Sequence, residues 1–209
     1  MSRAPEPPGP RDVQLEIDAR WWELPVHGEV DEPGWSRDLV DDALAARGMT
    51  ERPERRQVYA DMYAQLLASL RSTADDPDLR LITAYCYLPD ADLLYAALAR
   101  LAALVLPTGS TLDDAVATLV ASADDRYGDE RVSEMETASG PCLRIAQLLF
   151  DPATGGDSGV ISSIAYLWPT GDDGAFLVLA CTFASPVEGA LHEQALDELA
   201  GSLVKGELV

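Results

Sequence analysis

Basic residues are scarce in this chain. Its 209 residues hold 15 Lys and Arg against 36 Asp and Glu, a formal net charge of −21. A surface of that sign repels phosphate backbones, whose affinity for proteins comes largely from Lys and Arg, so no nucleic-acid partner is expected. Anionic membranes are disfavoured for the same reason, whereas a basic protein partner is favoured by electrostatic steering. Histidine is scarcer still: His27 and His192 are the only two. The cysteines are Cys86, Cys142 and Cys181. Their number is odd, none are spaced like metal ligands, and all fall in segments that read as strands, so buried, reduced thiols are expected. Long apolar runs are missing. The longest, residues 93–105, is interrupted by Arg100 and is too short to span a bilayer. Residues 1–11 are Pro-rich and lack the apolar stretch of a secretory signal. They read as a disordered tail ahead of a single domain over 12–209, in a chain expected to be cytoplasmic.

The clearest patterning lies near the end. Residues 160–168 are apolar and precede Pro169, Gly171-Asp172-Asp173-Gly174 makes a turn, and residues 175–185 form a second apolar segment before Pro186. An amphipathic helix over 188–204 follows. Strand, turn, strand and helix make a unit that covers one sheet face. Upstream, alternation of Val13, Leu15 and Ile17 predicts a strand over 13–17. Trp21, Trp22 and Leu24 predict a short strand or an apolar plug. Ser36 is placed to cap a helix running to Arg47, with Gly48 just beyond. A longer helix over 51–72 carries Val58, Met62, Leu66, Leu67 and Leu70 at helical spacing.

Residues 79–88 read as a strand, with Leu81, Thr83, Tyr85 and Tyr87 on one face and Ile82, Ala84, Cys86 and Leu88 on the other. The Ala/Leu composition of residues 93–106 favours helix. Yet Pro89 and Pro107 bound the segment closely and the preceding strand needs a neighbour, so a strand is expected. Ser110 with Asp113 resembles a capping box for a helix to about Ser122. Ser139-Gly140 joins strands over 131–138 and 141–150. Strands grouped apart from helices predict an antiparallel sheet with helices packed on it, an α+β fold and not a βαβ repeat.

Chemistry-bearing motifs are few. Gly156-Asp157-Ser158-Gly159 resembles the run around the nucleophile of chymotrypsin-like serine proteases. Val160 stands where that family has another Gly, and the chemistry needs an imidazole oriented by a buried carboxylate. His27 lies in Pro-Val-His-Gly, unlike that family's setting, and long helices do not suit a double barrel of strands. A hydrolase using Ser158, or a carboxylate pair, is the alternative reading. Glu188 and His192 have ligand spacing, with Glu193 beside them, but no third or fourth ligand is visible, so a solvated helix face is expected. Asp75, Asp76 and Asp78, and Asp124, Asp125, Asp129 and Glu130, lack the EF-hand ladder and read as solvated loops. No Gly-rich loop leads from a strand into a helix as phosphate sites require. Neither a metal nor a cofactor is expected. Trp21, Trp22 and Trp35 are the candidate binding residues: exposed, they would form a hot spot; buried, as expected for two of the three, they cap the core. A small-ligand carrier would use a pocket lined by Tyr85, Tyr87 and Trp168.

Three pieces of the C-terminal segment are similar to the Mog1/PsbP-like family. They are Ile164-Ala165-Tyr166-Leu167-Trp168-Pro169, Phe176-Leu177-Val178-Leu179 with Thr182-Phe183-Ala184-Ser185-Pro186, and Leu196-Asp197-Glu198-Leu199-Ala200-Gly201-Ser202-Leu203. In that family a strand pair leads into a helix ending like Phe-Asp-x-Ile-Ala-x-Ser-Leu; here Leu196 replaces the aromatic and Leu199 the Ile. The resemblance implies an α/β/α sandwich around an antiparallel sheet and a non-enzymatic role as an adaptor, chaperone or assembly factor. It carries over no binding residue, because the matching positions are packing positions. The expectation is a protein-binding adaptor with an acidic surface, and self-association through a sheet edge is compatible with it.

Overall fold

The structure is a computed structural model, which describes residues 13–15, 17, 19–72, 74, 78–89, 93–121, 125–151 and 159–205. The elements run β1 (Val13–Leu15), β2 (Trp21–Leu24), α1 (Glu32–Ala46), α2 (Pro53–Ser72), β3 (Leu79–Tyr87), β4 (Ala97–Val105), α3 (Leu112–Leu119), β5 (Arg131–Thr137), β6 (Gly140–Phe150), β7 (Val160–Pro169), β8 (Ala175–Phe183), α4 (Pro186–Gly201) and β9 (Leu203–Lys205). Among the described residues seven strands form one antiparallel sheet in the order β2-β3-β4-β8-β7-β6-β5, while β1 and β9 pair antiparallel with each other. The tail over 1–11 lies outside the described residues.

Alternation along the central strands sends apolar side chains to both faces, so both must be covered. On one face Ala99, Leu101, Tyr166, Trp168, Leu177, Leu179 and Phe183 pack under Leu196, Leu199 and Ala200 of α4. On the other, α1 and α2 bring Leu39, Val40, Ala43, Tyr63 and Leu67 onto Leu24, Ala84, Cys86 and Leu88. Further along that face, Ala115 of α3 closes over Leu104, Leu167, Phe176 and Val178. The result is the expected α/β/α sandwich. All three cysteines are buried and unbridged. Burial pushes the thiol of Cys181 up to about 12 and raises that of Cys86 further. No helix among the described residues is long and apolar enough to cross a membrane.

The ambiguous segment is resolved as a strand. β4 is hydrogen-bonded to β3 on one side and β8 on the other, and two ladders outweigh the helix propensity of Ala and Leu, about 1 kcal/mol per residue at most. It begins at Ala97, later than expected.

Several local expectations are corrected. Helix α1 starts before Ser36: Asp31 is its N-cap and a proline occupies its first turn, where the missing N–H costs nothing. Ser36 is therefore internal and buried, its hydroxyl donating to the Pro33 carbonyl at 3.3 Å. The end of α1 is as expected. Gly48, at φ +62°, lets its own N–H reach the Ala45 carbonyl and that of Met49 reach Leu44, a Schellman closure. Helix α2 begins at Pro53, and Val58 faces solvent; its buried stripe is Tyr59, Ala60, Tyr63, Leu67 and Leu70.

In β3 a bulge between Leu81 and Thr83 shifts the register. Leu81 thereby joins Ala84, Cys86 and Leu88, while Ile82 joins Tyr85 and Tyr87, the reverse of simple alternation. The last helix ends at Gly201, and Leu203–Lys205 is strand β9. The segment over 13–17 shortens to β1, which pairs with β9 and stays outside the main sheet.

The capping box of α3 sits one residue beyond its expected place. Thr111 Oγ1 accepts from the Asp114 N–H at 3.3 Å, and Asp114 Oδ2 accepts from the Thr111 N–H at 2.8 Å. That backbone bond, then the Thr111 hydroxyl, holds the Asp114 carboxyl below its ordinary 3.8. A depressed folded value means the stabilisation is complete above the unfolded value and is lost as pH falls through the folded one. The melting-temperature gap between the parent and Asp114→Ala should therefore be constant at neutral pH and narrow below the unfolded value of 3.8. Calorimetry across an acid series measures it.

Candidate functional site

Helix α4 lies over β7 and β8, and its last residue, Gly201, reaches β5 beside Met135. Two features fix its position. The first is a close approach: a Cβ added at Gly189 would lie 2.5 Å from Ser162 Oγ and 2.7 Å from Ser162 Cβ. Only glycine lets the first turns of α4 sit this near β7. The second is a polar clamp. From β6, Arg144 donates through Nε to Asp197 Oδ1 at 2.9 Å and through a terminal nitrogen to Glu193 Oε2 at 3.0 Å. From β7, the Tyr166 hydroxyl donates to the same Asp197 oxygen. Burial first, then the Asp197 carboxylate, raises the Tyr166 phenol above its usual range. Burial opposes the Arg144 charge, but the bond to Asp197 and the neighbouring charges outweigh it, so its value is raised.

Beside this clamp a cleft of about 340 Å³ opens under the start of α4, lined among others by Arg131, Leu148, Ser162, Pro186, Ala190 and Glu193. The same elements also carry exposed apolar side chains outside the cleft lining. Val187 and Leu191, one turn apart on α4, are 76% and 71% exposed, and Phe150 at the end of β6 is 58% exposed. Helix α4 has four acidic residues, Glu188, Glu193, Asp197 and Glu198, and no Lys or Arg.

β5 forms the outer edge. Its far end is fixed: Thr137 Oγ1 accepts from Trp168 Nε1 at 3.0 Å, the Ala138 N–H donates to Gly201 O at 3.0 Å, and Ser139 Oγ donates to Leu203 O at 2.7 Å.

The sequence-predicted residues are dispersed. Alternation along β2 sends Trp21 and Trp22 to opposite faces. Trp21 is buried, its ring 4.7 Å from that of Tyr87. Trp22 and Trp35 are half-buried against the cluster under α1 and α2, and Trp22 Nε1 is shielded and has no hydrogen-bond partner among the described residues. The three tryptophans form no common patch. Trp168 is fully buried and stacks on Tyr166. Two strands, β4 and β8, separate it from Tyr85 and Tyr87 on β3, so these three line no shared pocket.

Ser158 lies outside the described residues, as do Gly156 and Asp157. The two imidazoles have other neighbours. His27 Nε2 is 2.7 Å from the Leu81 carbonyl. His192, expected on a solvated face, turns inward against the rings of Tyr87 and Phe183, and Glu193 turns to Arg144. Asp75, Asp76 and Asp124 lie outside the described residues; in the neighbouring acidic loop Glu130 pairs with Arg126. Among the described residues no group of three or more His, Cys, Asp or Glu is placed to hold a metal ion.

The quartet of Arg144, Tyr166, Glu193 and Asp197 was not foreseen. Its traces in the sequence are an arginine inside an apolar strand and two acids spaced i,i+4 on the last helix. No protein-family model matches the chain, and a search of curated proteins finds no match.

Two substitutions test this geometry. Gly189→Ala should destabilise the fold by about 1–3 kcal/mol through overpacking, against at most about 1 kcal/mol gained in helix propensity; Ser162→Gly in the same chain should recover part of the loss. The Arg144 side chain is 16% exposed, Asp197 36% and Glu193 45%, so solvent screens part of the clamp. Arg144→Met should cost about 1–3 kcal/mol, below the figure for a fully buried pair. Adding Asp197→Leu should restore much of it. Urea unfolding of each variant reads both effects.

Proposed function

We propose that this protein is a non-enzymatic, cytoplasmic adaptor, chaperone or assembly factor that binds a basic protein partner. One observation carries the reading. Beside α4 a cleft opens between that helix, β6 and the start of β5, no described strand pairs with the outer side of β5, and Phe150 on β6 and Val187 and Leu191 on α4 are exposed, in a chain of net charge −21. Exposed apolar anchors provide the area that binding needs. The charge accelerates encounter with a basic partner and rejects acidic ones. The α/β/α layering, with a strand pair leading into the last helix, agrees with the Mog1/PsbP-like resemblance and supports it as a kinship.

Affinity capture on the purified chain at about 150 mM and about 500 mM salt, where screening lengths are roughly 8 and 4 Å, tests the proposal. A basic partner should be retained at the lower salt and largely released at the higher. Equal retention would remove the electrostatic part. Turnover by the purified chain that disappears on a point substitution would replace the adaptor reading with an enzymatic one.

A further inference from the structure

The main sheet has two edges of unequal availability. β2 spans only Trp21–Leu24 and runs into Pro25. β5 spans Arg131–Thr137, and no described strand pairs with its outer side. Its pairing with β6 fixes which backbone groups face outward. Thr137 opposes Gly140 across a two-residue turn, so these two close the hairpin as a hydrogen-bonded pair. Counting back by twos, Met135, Ser133 and Arg131 bond to β6. Val132, Glu134 and Glu136 therefore direct their N–H and C=O groups away from the sheet. The side chains of these three share one face, opposite Ile145, Leu143 and Pro141 of β6. Val132, Glu134 and Glu136 are all exposed, and neither glutamate forms an ion pair with a described residue.

We propose that this edge accepts an extended strand of the basic partner, added antiparallel to β5, with cationic side chains two residues apart opposite Glu134 and Glu136. The inference rests on the adaptor reading and gives it a place and a mode. Outward backbone groups supply the affinity of an added strand, and the alternating side chains supply the selection. Charge decides the occupant. A second copy, paired antiparallel about Glu134, sets that residue against itself; paired about Met135, it sets Glu134 against Glu136. Like charges directly opposite are unfavourable, whereas opposite charges contribute roughly 0.2–1 kcal/mol per pair. The same row of glutamates thus blocks self-pairing and matches alternating lysines.

Fluorescence anisotropy with the full chain tests this. The probe is a labelled peptide, Thr-Lys-Val-Lys-Val-Lys-Val-Lys-Thr, and its control is the same peptide with the backbone nitrogens of its two central lysines methylated, at unchanged charge. The lysines opposite Glu134 and Glu136 are the residues whose N–H groups face β5, so methylation removes the donors that a ladder needs and the control should bind about tenfold or more weakly. The double variant Glu134→Lys/Glu136→Lys, both at exposed positions, should keep the parent circular dichroism. It should lose the lysine peptide and gain the peptide with Glu at each Lys position. If both lysine peptides bind the parent equally and the variant leaves them unchanged, the contact is diffuse charge; the edge proposal fails and the adaptor reading stands. If neither binds, the edge proposal fails, and the capture experiment judges the adaptor reading independently. A parent dimer in light scattering that the variant dissociates would make a second copy the occupant and overturn the proposal.

Discussion

Strands β4, β8 and β7 bury side chains on both faces, and an antiparallel sheet in that state needs a helical layer on each side. Helices α1, α2 and α3 cover one face and α4 the other. The large buried side chains concentrate there: Trp168, Tyr166, Leu167 and Leu177, each contributing on the order of 2 kcal/mol on burial. Toward β5 this double burial ends, and the sheet changes from core to surface within two strands. At β5 Met135 still packs against the cluster under α4, whereas Val132, Glu134 and Glu136 on the opposite face are exposed.

The position of α4 determines how that end is shaped. Gly189 brings the helix against Ser162, and Arg144 holds Glu193 and Asp197 toward the sheet. The cleft is the space left between that helix and β6. Structure and the proposed docking surface therefore share components. Packing at Gly189 sets the cleft wall, and the bonds from Ala138 to Gly201 at the end of α4 and from Ser139 to Leu203 beyond it hold the β5 hairpin at its tip. A partner strand would meet an edge already ordered at one end, which lowers the entropic cost of docking.

Local patterns announced most of the elements. The two apolar runs around Gly171-Asp172-Asp173-Gly174, the Gly48 stop of α1 and the Ser139-Gly140 hairpin each carry their cause within a few residues. Where expectation and structure part, something distant or finely local decided. Val58 fits a helical stripe, but the stripe that is buried depends on where α1 lies. The bulge at Leu81/Thr83 exchanges the faces of Leu81 and Ile82, a one-residue event that alternation cannot register. The tryptophans cluster in sequence and disperse in space because neighbours on a strand face opposite ways.

Composition and periodicity alone determined the α+β class, the layered sheet, the buried thiols and the acidic field, because each follows from residue type and spacing. Tertiary structure alone decided the Arg144 clamp, the Gly189–Ser162 contact, and which edge of the sheet is left open. Arg144 and Asp197 are 53 residues apart, and no short-range pattern encodes a partner at that separation. Their meeting is a property of strand order, which arises only when every apolar face has found its cover.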